Sequence, residues 1–268
     1  MGSGIACHLA NVGIDVLMLD IQPNDKSIKN KNFVADESLK SAIKSRPNPL
    51  YKKEYASRVT TGNFDDDFEK IKDADWIIEV IVENLEIKKT VFEKVEKYKS
   101  DHAFVTSNTS SIPISLLCEG RSNDFKSKFC GTHFFNPPRY LRLFEVIPHT
   151  DSDPSLISFL MEFGDVNLGK QTVLCKDTPG FIGNRIGVMC GIKSSQLTEK
   201  YNFKIEEVDV MTGSVIGLPN SGTFRLQDLV GLDTSNNVTN FLVNNVTDDS
   251  FYSKLKDQPD DKSFNFLI

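Results

Sequence analysis

Along the first two-thirds of the chain, short apolar runs alternate with stretches whose apolar residues recur at helical spacing. Val16-Leu17-Met18-Leu19-Asp20, Trp76-Ile77-Ile78-Glu79-Val80 and Ala103-Phe104-Val105-Thr106-Ser107 are of strand length and nearly unbroken. That is the pattern of strands covered on both faces. Cys130 to Phe134, Leu143 to Ile147 and Gln171 to Cys175 also read as extended. Leu85 to Tyr98 and Ser155 to Phe163 carry helical periods between them. Strands alternating with helices in this way predict parallel βαβ units in an open sheet.

After Asp177-Thr178-Pro179-Gly180 the pattern changes. Phe181 to Tyr201, Glu206 to Met211, Thr223 to Val230 and Thr234 to Val246 are helical in period, and no strand pattern recurs. The sequence therefore predicts an α/β domain over residues 1–174 and a smaller all-α domain over residues 175–268. The lysine-rich stretch from Lys26 to Lys53 is the least patterned part of the first domain and reads as a solvated helix and loop.

The chain opens Met1-Gly2-Ser3-Gly4-Ile5-Ala6-Cys7-His8, Gly13 ends the first helix, and the next strand finishes in Asp20. A glycine turn entering a helix, then a strand ending in an acidic residue, is the second half of a dinucleotide-binding βαβ unit. Gly2 stands where a motif glycine lets helix and strand approach. Asp20 stands where a carboxylate holds the ribose hydroxyls and repels a 2′-phosphate, which favours NAD over NADP. The expected fold is thus Rossmann-like, mostly parallel, with the first strand missing. That strand would be central and buried on both faces, so Met1 is expected to be an internal methionine of a longer protein.

The remaining bulk properties narrow the classes of function. A net charge of −6 over 268 residues argues against nucleic-acid binding. No stretch approaches the roughly 18 apolar residues of a membrane helix, and no secretory leader pattern is seen. Cys7, Cys118, Cys130, Cys175 and Cys190 show neither metal-binding spacing nor a disulfide framework, which suits small buried hydrophobes in a reducing cytoplasm.

The strongest chemical signal is Gly131-Thr132-His133-Phe134-Phe135-Asn136-Pro137, followed on the next extended segment by Glu145. An imidazole held by a carboxylate in an apolar frame is suited to proton transfer near neutral pH.

Four motifs occur in one order: the glycine turn with Asp20; Ser107-Asn108-Thr109-Ser110-Ser111; the His133 motif with Glu145; and Lys176-Asp177-Thr178-Pro179-Gly180-Phe181-Ile182-Gly183-Asn184-Arg185. Together they resemble the L-3-hydroxyacyl-CoA dehydrogenases of fatty-acid β-oxidation, closest to bacterial forms often joined to an enoyl-CoA hydratase module. The resemblance implies an NAD-dependent oxidation of an acyl-CoA thioester, a homodimer formed through the helical domain, and a fused or partner hydratase. By motif position it makes His133 the base and Glu145 its carboxylate partner. Ser110 and Asn184 become the groups that contact substrate near its 3-oxygen and thioester. Gly2, Asp20, Glu83, Lys88, Ser110 and Asn136 are placed along the NAD site. The family's usual C-terminal continuation is not found before Asn265-Phe266-Leu267-Ile268.

Plainer readings stand beside these. His133 alone would pass for a satisfied core histidine, Asn184 for a helix-start residue, and Ser110 for a helix cap. Glu83 and Lys88 could open a solvated helix. The competing functions are a related β-hydroxyacid dehydrogenase acting on a free acid, and an inactive or non-enzymatic fragment on the same scaffold.

Overall fold

A computed structural model describes residues 1–256; the expectation about the C-terminal continuation falls outside them. The chain divides into two compact units, Met1–Asp177 and a second beginning at Thr178.

The first unit runs α1 (Gly2–Asn11), β1 (Val16–Asp20), α2 (Phe33–Lys44), β2 (Val59–Asn63), β3 (Trp76–Glu79), α3 (Leu85–Tyr98) and β4 (Phe104–Ser107). It continues through α4 (Ile114–Leu117), α5 (Asn123–Ser127), β5 (Phe129–Phe134), β6 (Leu143–Ile147), α6 (Pro154–Val166) and β7 (Gln171–Leu174). The second unit holds α7 (Gly183–Tyr201), α8 (Ile205–Met211), α9 (Phe224–Val230), α10 (Leu232–Asn245) and α11 (Ser250–Lys256), with no strand among the described residues.

Local signals set the element ends. Gly13, at φ 93°, makes the left-handed turn between α1 and β1. The Asn84 side chain accepts from the Ile87 amide to open α3, and Asp153 caps α6 just before Pro154. β2 was not anticipated: Val59-Thr60-Thr61-Gly62-Asn63 is too polar to show a buried-strand run.

The strands form two sheets rather than one. β1 and β2 pair in parallel, and β3-β4-β5-β6-β7 form a second sheet, parallel except between β5 and β6. β1 and β3 share no ladder, yet Val16 of β1 packs in the same cluster as Trp76 and Ile78 of β3. All of β1 is only half buried, as expected of a strand with one partner.

One face of the five-stranded sheet is closed by α1 and α6, with Ile5, Leu9 and Leu160 against Cys130, Phe134, Phe144 and Val146. On the other face lie Phe92 of α3 and Phe125 of α5, which stack and edge against Phe129. α4 packs on this second face because β5 offers Gly131: a Cβ there would sit 2.7 Å from Ile114 Cδ1.

Candidate active site

The strand register brings the chemistry to one edge of the sheet. Glu79, Ser107, Gly131 and Ile147 lie in one row across β3 to β6. Two residues further along, His133 and Glu145 are direct partners, so their side chains project from the same face as Glu79 and Ser107. This is the carboxyl end of the parallel strands, where ligands bind in open α/β sheets.

His133 is nearly buried, and its Nδ1 lies 2.7 Å from Oε2 of the fully buried Glu145. With the carboxylate on Nδ1, that nitrogen carries the hydrogen and Nε2 is the basic one. Phe135 lies against the imidazole, with centroids 4.4 Å apart. The carboxylate thus fixes the imidazole tautomer in a dry frame.

Ser110 is on the loop between β4 and α4, and two carboxylates hold that loop. Glu83 Oε1 accepts from the amides of Ser110 (3.1 Å) and Ser111 (3.0 Å) and from the hydroxyls of Thr109 and Ser111. Burial acts to raise the Glu83 pKa, but hydrogen bonds from Thr109 and Ser111 and the Lys88 charge outweigh it and hold the pKa below the usual carboxylate value. Asp177 accepts from the amides of Ile114 (2.7 Å) and Ser115 (2.9 Å), capping α4 from the end of the unit. Asn108 Oδ1 accepts from the Phe134 amide at 2.9 Å, which ties the loop to the strand of His133. The Ser110 hydroxyl itself makes no hydrogen bond among the described residues.

The remaining expected residues are placed as follows. Asp20 ends β1, with Oδ1 accepting from its neighbour Ile21 and the side chain half exposed. Asn136 is exposed just beyond β5. Gly2 opens α1, where a Cβ would lie 3.8 Å from Val80 Cβ; this is an ordinary contact, so the helix does not need glycine there for packing. Lys88 lies beneath the edge rather than on it. It is 1% exposed, and its ammonium meets Glu79 (2.7 Å), Glu83 (3.3 Å) and the Ile81 carbonyl (3.4 Å). Asn184, in the first turn of α7, belongs to the second unit and is half buried there. In that unit Tyr252 donates to the Arg185 carbonyl at 2.5 Å, and the Arg185 side chain pairs with Asp248 at 2.7 Å.

Glu79, Asn108 and Asp177 were not singled out from the sequence. The signal for Glu79 was present as a carboxylate closing an apolar strand. His8 had no expected role and proves 2% exposed, its Nε2 3.1 Å from the Leu168 carbonyl. No metal-binding cluster and no membrane-length apolar helix occur among the described residues.

The half-exposed Asp20 carboxylate, the strand ends and the Glu83-braced loop suit a dinucleotide, and the neighbouring imidazole–carboxylate pair suits proton transfer; the arrangement is that of the dinucleotide-binding class of α/β folds. Residues 1–178 match the NAD binding domain of 3-hydroxyacyl-CoA dehydrogenase, and residues 180–262 match the C-terminal domain of the same enzymes. The chain belongs to the 3-hydroxyacyl-CoA dehydrogenase family, and its cofactor is NAD. It is 49% identical over 246 residues to a Bacillus subtilis protein named as a 3-hydroxyacyl-CoA dehydrogenase, covering 87% of this chain and 31% of that protein. It is 37% identical over 256 residues to a Rickettsia prowazekii protein named as the trifunctional enzyme of a fatty acid oxidation complex, covering 95% of this chain and 35% of that one. Among solved structures, (S)-3-hydroxybutyryl-CoA dehydrogenase from Ralstonia eutropha superimposes with a TM-score of 0.74 at 27% identity, covering 94% of this chain and 86% of that chain. The chain thus spans about a third of the length of the first two relatives.

Proposed function

We propose that this chain performs the NAD-dependent oxidation of an L-3-hydroxyacyl-CoA to the 3-oxoacyl-CoA in fatty-acid oxidation. The observation that carries this reading is the buried His133–Glu145 pair at the carboxyl edge of the sheet. NAD, when bound, supplies the hydride acceptor. Everything else falls to the chain. Nε2 of His133 takes the proton of the 3-hydroxyl as the carbonyl forms, and Glu145 stabilises the resulting imidazolium through Nδ1. In the reverse direction the imidazolium returns that proton to the developing alkoxide. Ser110 donates a hydrogen bond to the oxygen at C3, where charge develops. Asp20 takes the ribose hydroxyls, with Gly2, Glu83, Ser110 and Asn136 along the same edge. Asn184 is assigned to the thioester side of the substrate on motif position alone.

The experiment is NADH oxidation followed with acetoacetyl-CoA. Turnover that is lost in His133→Ala supports the reading; full activity in His133→Ala, or equal use of the free 3-oxo acid, sinks it.

The helical unit is proposed to dock a second copy of the chain. Its support is exposed apolar side chains such as Val210 (67%), Val215 (74%) and Leu229 (69%). A monomer at micromolar concentration in analytical ultracentrifugation would remove this proposal. A hydratase module, fused or associated, is proposed from the trifunctional relative. A reducing, cytoplasmic setting is proposed from the scattered spacing of the cysteines, which offers no disulfide framework, and from the burial of Cys7, Cys118 and Cys130.

A further inference from the structure

The loop of residues 21–32 leaves the carboxyl end of β1 directly after Asp20 and ends where α2 begins. One buried amide, Asn63 at the end of β2, holds both ends of it. Asn63 is 2% exposed and is the register partner of Asp20 across the parallel β1–β2 pair. Its Oδ1 accepts from Gln22 Nε2 at 3.1 Å, and its Nδ2 donates to Asn32 Oδ1 at 2.7 Å. Gln22 is the second residue of the loop and Asn32 the last. The Asp20 carboxylate depends on the first residue. Its Oδ1 accepts from the Ile21 amide at 2.8 Å, so its orientation follows the path of the chain into the loop.

An Asn at a strand end commonly does no more than open a turn, its oxygen taking the amides that follow. Asn63 does this too, through the amides of Asp65 (3.0 Å) and Asp66 (2.9 Å). That turn needs neither burial nor the Nδ2 group, and an exposed Asp would make it equally well. The contacts to Gln22 and Asn32, 41 and 31 residues away, are what require an amide there. The start of α2 has its own tie to β2, because Asp36 Oδ1 accepts from the Thr61 hydroxyl at 2.6 Å. The Asn32 side chain makes no cap to that helix. Cutting the staple therefore releases the loop and leaves the helix seated.

We propose that Asn63 is a positioning residue for the cofactor: it staples the 21–32 loop closed and so fixes the Asp20 carboxylate at the ribose site. The proposal rests on the reading of Asp20 as the ribose contact and is independent of the reaction catalysed. The loop carries neither helix nor strand. Once unstapled it samples many conformations, only a fraction of them with Asp20 in place, and the apparent affinity falls by that fraction.

The test uses the full chain, with Asn63→Ala and Asn32→Ala beside the wild type. Amide hydrogen exchange over residues 22–31 is read with no nucleotide present, so it reports the staple alone. Dissociation constants for NADH and for NADPH are then read by fluorescence titration. In Asn63→Ala, exchange over the loop should be about tenfold faster while β5 is unchanged, and the NADH constant should rise about tenfold. The carboxylate that repels the 2′-phosphate is then no longer held, so the ratio of the NADPH to the NADH constant should narrow about threefold or more. Asn32→Ala cuts one end of the staple and should move all three readings in the same direction, by about threefold or less. A general loss of structure would weaken both nucleotides alike and leave the ratio where it is. Wild-type exchange over the loop in Asn63→Ala overturns the proposal. So does faster exchange with an unchanged NADH constant, or with equal weakening of both nucleotides. If Asn63→Ala does not fold, Asn32→Ala carries the decision on the same three readings. A wild-type chain that binds no NADH overturns the proposal as well. A chain that binds NADH yet reduces no acetoacetyl-CoA counts against the proposed function alone, since none of the three readings needs turnover.

Discussion

Nδ1 of His133 sits 2.7 Å from Oε2 of Glu145, and the two residues are opposite partners across the antiparallel β5–β6 pair. Backbone pairing therefore sets the distance, and the side-chain length must match it. Glu145→Asp, one methylene shorter on a fixed strand, should lose the contact, and Glu145→Gln should keep the shape but lose the charge. Both are expected to lower kcat by about 10²–10⁴, the usual span for a general acid–base. Stopped-flow reduction of acetoacetyl-CoA at saturating NADH checks this; a Glu145→Asp variant at wild-type kcat would contradict it.

Gly131 gives α4 its seat. A Cβ there would lie 2.7 Å from Ile114 Cδ1 and 3.1 Å from Ile147 Cβ. Gly131→Ala should cost about 1–3 kcal/mol by overpacking. Adding Ile114→Val should recover part of that loss, because it removes the closer clashing atom. Urea denaturation of the two single variants and the double variant measures the coupling.

His8 gives the first unit an acid-sensitive point. Burial, reinforced by Lys170 and Arg139, lowers its pKa to about 4 against the Leu168 hydrogen bond, which acts to raise it. Between about pH 4 and 6.5 the unfolded chain binds more protons at this residue than the folded one. Stability from this group is therefore full above pH 6.5 and falls as the pH drops toward 4, by up to about 3 kcal/mol. His8→Gln should flatten that part of the profile. Urea midpoints of both proteins from pH 4 to 7 test it, and parallel profiles would reject it.

Asp20 decides between the two dinucleotides in this reading. Its carboxylate stands at the end of β1 and is half exposed. Asp20→Arg should weaken NADH binding and bring in NADPH, a change of about 1–3 kcal/mol in preference, since a repelling charge becomes an attracting one. The ratio of kcat/KM for the two cofactors measures it; an unchanged ratio would remove Asp20 from the ribose site.

How much of this was legible depended on whether a feature is local. β3, β4 and β5 are read from unbroken apolar runs, because a strand covered on both faces needs them. β2 escaped because its alternating threonines, Gly62 and Asn63 hide a strand that pairs only with β1. His133 and Glu145 were legible because they sit on neighbouring extended segments. Lys88 was placed along the NAD site by motif position, with a solvated helix start as the plainer reading, and its burial has no trace in Glu86-Ile87-Lys88-Lys89. Only the fold turns Lys88 inward while Lys89 pairs with Glu119 outside. The hold of Asp177 on α4, 63 residues earlier in the chain, has no local trace at all.

The division of the strands into two sheets bears on how the first unit is held together. No backbone ladder joins β1–β2 to the five-stranded sheet. The linkage runs through side chains, chiefly α1, which sends Ile5 and Leu9 into one cluster and Ala6, Cys7 and Ala10 into the other. Side-chain packing transmits cooperativity less rigidly than a continuous ladder. Because one helix feeds both clusters, the packing of α1 sets where Asp20 stands relative to His133, and a change on either face of that helix is felt at both.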